Sequence, residues 1–271
     1  MAKTIALVNQ KGGVGKSTTT EHLGVGLARE GKRVLLMDSD PQGSLSVMLG
    51  FDKDEITNNL ALALHNIVND HPFDPEDMIL HHEEGIDIIT CNDGISSLQD
   101  ELSMINEFGQ YVVLDREYVL KKLTSLVADR YDYILIDCPP TLGLLTVNAL
   151  TAADSVIVPM QAEYASITGF KDLIRSYYAV RVQLNTALKI DGIVFTMVQG
   201  WINSPKKIMK MIHDAYDNEG DEDIRVFRTY IPRETKISDT VSMGVSAFRF
   251  NKKGKATKAY EELTKEVLER E

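Results

Sequence analysis

The sequence predicts a doubly wound α/β fold, a mostly parallel sheet with helices on both faces, and three observations carry that reading. Apolar runs of strand length recur along the chain, most of them continuous rather than alternating, as in strands buried on both faces. Between them lie stretches whose apolar residues repeat with a helical period. The first run, Ile5-Ala6-Leu7-Val8, leads through a glycine-rich turn straight into an amphipathic segment, the strand–loop–helix order of a phosphate-binding turn.

Thr4–Val8 is the first expected strand, and Ser17–Glu30 the first helix, stopped by Gly31, which tolerates the left-handed backbone on which helices end. Arg33–Met37 follows as a strand. Residues 51–85 are less regular: Asn59–Ile67 has a helical pattern and His71-Pro72-Phe73-Asp74-Pro75 breaks it, which predicts an insertion at the side of the sheet. Ile86–Thr90 reads as a strand, and Glu117–Arg130 as a helix with Leu120, Leu123, Leu126 and Val127 on one face. Strands at Tyr133–Ile136, Ser155–Pro159, Gly192–Met197 and Arg225–Tyr230 then alternate with helices at Ala165–Leu184 and Ser204–Asn218, the second opened by Ser204 as N-cap and Pro205 in the first turn. The tail, Lys258–Leu268, aligns Ala259, Leu263 and Val267 as a packing stripe. No repeat, low-complexity tract or linker interrupts this order, so residues 1–271 are expected to form a single domain.

The 271 residues suffice for a large core. No apolar run approaches the ~20 residues of a membrane span, and Met1-Ala2-Lys3-Thr4 runs directly into the first strand, which predicts no signal peptide. Cys91 and Cys138 stand far apart without a CxxC, pointing to a reducing, cytoplasmic compartment and away from a disulfide framework or a zinc site. The formal charge is −11, from 29 basic and 40 acidic residues, which by itself disfavours a polyanion partner. The charge is unevenly spread, however. Arg225–Lys258 holds nine basic and two acidic residues, net +7, leaving −18 for the rest. Either a basic face for a polyanion or a merely solvated surface has that composition.

The chemistry concentrates in Lys11-Gly12-Gly13-Val14-Gly15-Lys16-Ser17-Thr18. Glycines let the backbone turn tightly and bring several N–H groups near a polyphosphate, and the following helix adds its positive dipole end. Lys16 supplies charge for the outer phosphates and the Ser17 hydroxyl is placed to ligate Mg²⁺. The loop departs from the general G-x-x-x-x-G-K-S/T pattern: Gln10 stands where the first glycine would be, and Lys11 adds a second lysine. Two carboxylates, Asp38 and Asp40, emerge on one side of the chain at the end of the second strand, where open α/β sheets bind ligands. Tyr133–Ile136 runs into Asp137-Cys138-Pro139-Pro140, offering Asp137 as a further partner for Mg²⁺, with Cys138 a small buried neighbour.

KGGVGKST, LLMDSDPQG and ILIDCPP, in this order and spacing, resemble the deviant Walker A, switch-I and Walker B segments of the ParA/Soj/MinD superfamily of P-loop ATPases. Pro159-Met160-Gln161-Ala162-Glu163-Tyr164, Phe195-Thr196-Met197 and Ile231-Pro232-Arg233 extend the resemblance, which is nearest to the ParA branch of DNA-partition ATPases. The resemblance implies ATP and Mg²⁺ as cofactors. Lys11, Lys16 and Asp40 would be the catalytic residues: Lys16 holding phosphates, Asp40 positioning the attacking water, and Lys11 reaching across a homodimer to the other copy's nucleotide. Gly12, Gly13, Val14, Gly15, Ser17 and Thr18 complete the phosphate site, Thr196, Met197, Pro232 and Arg233 would line the adenine, and Ser17, Asp38 and Asp137 would support the metal. A transition state for phosphoryl transfer needs added positive charge, which gives Lys11 a physical reason to act in trans.

The same resemblance implies a slow cytoplasmic, nucleoid-associated ATPase of bacterial type. Its ATP dimer would bind DNA without sequence preference and answer to a ParB-type centromere-binding protein during plasmid or chromosome partition. Arg228, Lys236, Arg249, Lys252 and Lys253 are the DNA-contact candidates, chosen on charge, with Lys206, Lys207 and Lys210 as a weaker patch. The acidic tail Glu261–Glu271 weighs against a membrane anchor. Related readings are a positioning ATPase for a protein cluster or for the division site, and an iron–sulfur reductase, which would need paired cysteines that Cys91 and Cys138 do not obviously supply.

Overall fold

Eight strands hydrogen-bond into one sheet in the computed structural model, which describes residues 1–104, 115–199, 203–218 and 224–270. They are β1 (Lys3–Leu7), β2 (Val34–Asp38), β3 (Leu80–His82), β4 (Ile86–Ile89), β5 (Tyr133–Asp137), β6 (Ser155–Gln161), β7 (Lys189–Val198) and β8 (Ile224–Pro232), in the spatial order β3-β4-β2-β5-β1-β6-β7-β8. Every pairing among these strands is parallel except β3 with β4. The crossover from β1 leads to β2 on one side and that from β5 leads to β6 on the other. The neighbouring carboxyl ends of β1 and β5 therefore flank a topological switch point, where such sheets form their ligand crevice.

The continuous apolar runs are explained by two cores. Ile5 and Leu7 face one layer with Leu36, Leu135, Ile157 and Val194, while Ala6 and Val8 face the other with Leu35, Met37, Ile134, Ile136 and Val158. The first layer is closed by α1 (Lys16–Arg29), α2 (Ser44–Met48), α9 (Lys236–Val241), α10 (Ala247–Phe250) and α11 (Lys255–Glu269). The second is closed by α3 (Leu60–Val68), α4 (Gly94–Ser103), α5 (Val119–Val127), α6 (Leu144–Ala152), α7 (Tyr164–Gln183) and α8 (Asn203–His213). Each fully buried Leu, Ile or Phe in these layers contributes about 1.5–3 kcal/mol, which is what holds the strand ends in place around the crevice.

All seven expected strands are present with shifted ends, and so are the six expected helices. The tail helix is longer than expected, and Glu117–Arg130 is an α-helix only over Val119–Val127, between short 3₁₀ turns at Arg116–Tyr118 and Ala128–Arg130. The break at residues 71–74 is also present. Two points correct the sequence reading of residues 51–85. This segment builds part of the main core through Leu60, Ala63 and Leu64 of α3, which Asn59 caps by accepting from the Leu62 N–H. It also supplies β3, a three-residue antiparallel edge strand too short and too histidine-rich to announce itself. The apolar helix α6 was equally hidden, because its sequence LLTVNALTA is buried on most sides and has no clear period.

Candidate functional site

The crevice is framed by the loop between β1 and α1. Gly13 and Gly15 have φ values of 70° and 84°, a left-handed backbone that other residues adopt at a cost. Gly15 caps α1 without any side chain to satisfy the first-turn N–H groups, which are left for a ligand. The loop is tied from outside at several points. Asn9 donates to the Pro159 carbonyl at 2.8 Å and accepts from the Lys11 N–H at 2.9 Å. Gln10, in the position of the general motif's first glycine, donates to the Gly169 carbonyl in α7 at 3.0 Å. The Thr196 hydroxyl donates to the Val14 carbonyl at 2.7 Å and the Gln161 amide to the Gly13 carbonyl at 3.1 Å.

The three aspartates lie together beneath this loop. Asp38 and Asp137 are register partners at the ends of β2 and β5, and both are fully buried. Asp38 accepts from the Ser46 N–H and hydroxyl at 2.9 and 2.8 Å and from the Asp40 N–H at 3.2 Å. Burial nevertheless pushes its carboxyl up to about 6. Asp137 is pushed further, up to about 8, by burial first and then by the charge of Asp38, with Ser17 and Lys16 opposing. Its Oδ1 accepts from the Thr20 hydroxyl at 3.3 Å, while Oδ2 has no hydrogen-bond partner among the described residues. Burial pushes the Lys16 ammonium below its ordinary value and Asp137 pulls it back. Asp137 and Asp40 both act on the desolvated Lys16 ammonium, with Asp38 the register partner of Asp137, and a divalent cation beside Ser17 would favour the ionised form of these carboxylates. Among the described residues no group of three His, Cys, Asp or Glu is placed to cage a metal, so such a cation would take its remaining ligands from phosphate and water. Cys138 is buried, and that burial raises its thiol well above the ordinary range, which suits packing and not metal ligation.

Thr196, Met197, Pro232 and Arg233 all line one cavity of about 370 Å³ that reaches Gly15 and Thr18 on the loop and Tyr260 on α11. The four residues assigned to the base are therefore brought together beside the phosphate loop, although the Thr196 hydroxyl is spent on the Val14 carbonyl. Met197 is one of three non-glycine residues with positive φ among those described, at 53°. Met197 and Arg233 also line a second cavity of about 390 Å³, with Gln161, Glu163 and Tyr164. A larger cavity, about 910 Å³, is a shallow surface groove between α3 and α5 that shares no residue with the loop, so size alone misleads here.

Lys11 is engaged by the end of β6 and the segment that follows it. Its ammonium donates to Glu163 at 2.7 Å and to Gln161 at 3.2 Å. Sequence reasoning had the segment containing Gln161 and Glu163 but gave neither a role; Thr20 and Ser46 carried no signal at all. His22, also missed, bridges from α1 to α10: its Nδ1–H donates to the Thr18 carbonyl at 2.8 Å and its Nε2 accepts from the Ala247 N–H at 3.1 Å, a tautomer set by those partners.

The five DNA-contact candidates do not form one free patch. Arg228, on the edge strand β8, pairs with Glu269 at 2.7 Å and with Glu266 at 3.6 Å, and Arg249 pairs with Glu83. Lys236, Lys252 and Lys253 are exposed and make no ion pair among the described residues.

A family described as an AAA domain matches residues 2–190. The sporulation initiation inhibitor protein Soj of Bacillus subtilis is 37% identical over 98% of this chain and 98% of its own length. The chromosome-partitioning ATPase Soj of Treponema pallidum is 36% identical over 100% of this chain and 99% of its own. A crystal structure of cobyrinic acid a,c-diamide synthase from Mycobacterium smegmatis, with a bound ATP analogue and magnesium, superposes with a TM-score of 0.82 at 31% identity, covering 99% and 94% of the two chains. With the tied phosphate loop, the buried aspartates and these full-length likenesses together, the chain belongs to the Soj/ParA family of ATPases.

Proposed function

We propose that this ATPase is a DNA-partition switch: ATP joins two copies, the dimer holds DNA through its phosphates, and a ParB-type partner triggers hydrolysis. The observation that carries the reading is the place of Lys11. Its ammonium pairs with the exposed Glu163, 2.7 Å away, a partner it can exchange for the phosphates of a nucleotide on a second copy. A half-exposed pair of this kind costs little to break, because exposed ion pairs contribute about 0–1 kcal/mol.

The residues divide the chemistry. Lys16 and the free N–H groups of the loop bind and orient the outer phosphates. Ser17, Asp38 and Asp137 would hold Mg²⁺, whose charge offsets that of the phosphates, and the Asp137 Oδ2, without a hydrogen-bond partner among the described residues, fits that task. Asp40, whose Oδ1 accepts from the Gln42 N–H at 3.0 Å, keeps its other oxygen for the attacking water. Lys11 of the second copy adds charge as the bond to the leaving phosphate breaks. No carboxylate follows Asp137, and the buried Cys138 thiol is no base, so unstimulated turnover is slow.

DNA retention rests on Lys236, Lys252 and Lys253, doubled in the dimer. Neutralising about six phosphates gives a salt dependence with a slope of roughly −5 and a loss of about 10³ in affinity between 50 and 200 mM salt. The dimer is tested by sedimentation of the Asp40→Ala variant saturated with Mg-ATP. A two-subunit species that retains DNA is expected. Single subunits only, or retention equal with and without ATP, overturn the reading.

A further inference from the structure

Two successive carbonyls of the phosphate loop are captured by the ends of two neighbouring strands. Gln161, the last residue of β6, is the register partner of Thr196 in β7, so the two side chains leave the sheet on the same side. Thr196 takes the Val14 carbonyl and Gln161 takes the Gly13 carbonyl. The peptides of the described loop are trans, and across a trans peptide the carbonyl and the next N–H point in opposite directions. Holding the Gly13 carbonyl outward therefore turns the Val14 N–H inward, and holding the Val14 carbonyl outward does the same for the Gly15 N–H. Gly13, at φ 70°, has no Cβ to restrict the adjoining torsion, so other orientations of this peptide stay open to it unless it is held.

We propose that Gln161 is a positioning residue of the phosphate cradle: its amide holds the Gly13 carbonyl so that the Val14 N–H is aimed at the bound polyphosphate before nucleotide arrives. The same amide serves two other neighbours. Its Nε2 reaches the Met197 sulfur at 3.2 Å, at the wall of the base cavity, and its Oε1 accepts from Lys11 at 3.2 Å. One side chain thus links the cradle, the base wall and the lysine assigned to the second copy. Its donor end orders the loop, and its acceptor end is dispensable for that task.

The inference rests on the nucleotide-binding reading of this loop, and Gln161→Glu and Gln161→Leu test it. Glutamate keeps an acceptor for Lys11 and loses the donor to Gly13; leucine loses both. ATP and inorganic tripolyphosphate are titrated calorimetrically into each protein, with melting curves to show that the variants fold. In parallel, the amide resonance of ¹⁵N-labelled Val14 is followed during the ATP titration. Both variants should bind ATP and tripolyphosphate about tenfold more weakly, the size of one typical hydrogen bond. The Val14 amide should shift on ATP binding in the wild type and much less in either variant. Wild-type affinity and a wild-type Val14 shift in the Gln161→Glu protein would overturn the proposal alone. A wild-type chain that binds neither ATP nor tripolyphosphate would overturn the nucleotide reading with it.

Discussion

The crevice at the ends of β1, β2 and β5 and the basic stretch from β8 to α11 handle charge in opposite ways. In the crevice, the ionisable groups are buried, few and mutually opposed: Asp38, Asp137 and Lys16 are each desolvated, and the carboxylates are pushed up to about 6 and about 8. In the basic stretch the groups are exposed and many, and acids already compensate two of the five candidates, Arg228 by Glu269 and Arg249 by Glu83. Buried charge is strong, local and poised for a particular ligand. Exposed charge is weak, screened and additive. The proposed switch, binding one nucleotide tightly and DNA reversibly, would use one region of each kind.

The two lysines of the loop give the largest test of this contrast. Lys16→Ala should abolish detectable ATP binding, because Lys16 is the buried cation of the loop, beside Asp137 and Asp40. Lys11→Ala should keep ATP binding within a few-fold of wild type, yet lower the stimulated kcat by roughly 10³ or more, the scale of a charge supplied in trans. Calorimetry and steady-state turnover separate the two; equal loss of binding in both variants would show that Lys11 serves its own nucleotide.

Next in size is the pH dependence of the nucleotide-free protein. Asp137 has its folded value raised from 3.8 to about 8, so its ionised form is disfavoured in the fold. Stability should therefore decline as pH rises through that window and level off above it. Asp137→Asn should flatten the decline while abolishing turnover. Melting temperatures between pH 4 and pH 9 read this directly, and an unchanged slope in the variant would assign the burden to another group.

A smaller effect is expected at the basic stretch. Replacing Lys252 and Lys253 by alanine should reduce the slope of log affinity for DNA against log salt by about 0.9 for each phosphate no longer neutralised, without altering ATP binding. Glu83→Gln, which frees Arg249, should steepen the slope slightly. DNA retention across a salt series decides both.

The smallest effect belongs to the exposed pair of Arg33 with Asp132, at 2.9 Å, which holds the Asp132 carboxyl down to about 2. Its contribution is present above the ordinary carboxylate value and is lost as pH falls toward 2. Asp132→Asn should lower the melting temperature marginally at neutral pH and by less as the pH approaches 2.

The strand–loop–helix start, the seven main strands and the positions of Lys16, Ser17, Asp38, Asp40 and Asp137 were legible in the sequence. Each depends on neighbours in the chain: apolar period, a glycine where φ is positive, a carboxylate at the end of an apolar run. Thr196, Met197, Pro232 and Arg233, expected at the base, were reached only through family resemblance, and the structure brings them to one cavity. What the tertiary structure alone decided are the ties between distant segments. Gln161 meets Gly13 across 148 residues and His22 meets Ala247 across 225, while Glu83 of the β3–β4 turn finds Arg249 on α10. Strand order, register and helix packing determine such ties, and these depend on the whole core closing at once. No local pattern could tell that the Thr196 hydroxyl holds the loop, that Lys11 rests on Glu163, or that two of five basic candidates are already paired.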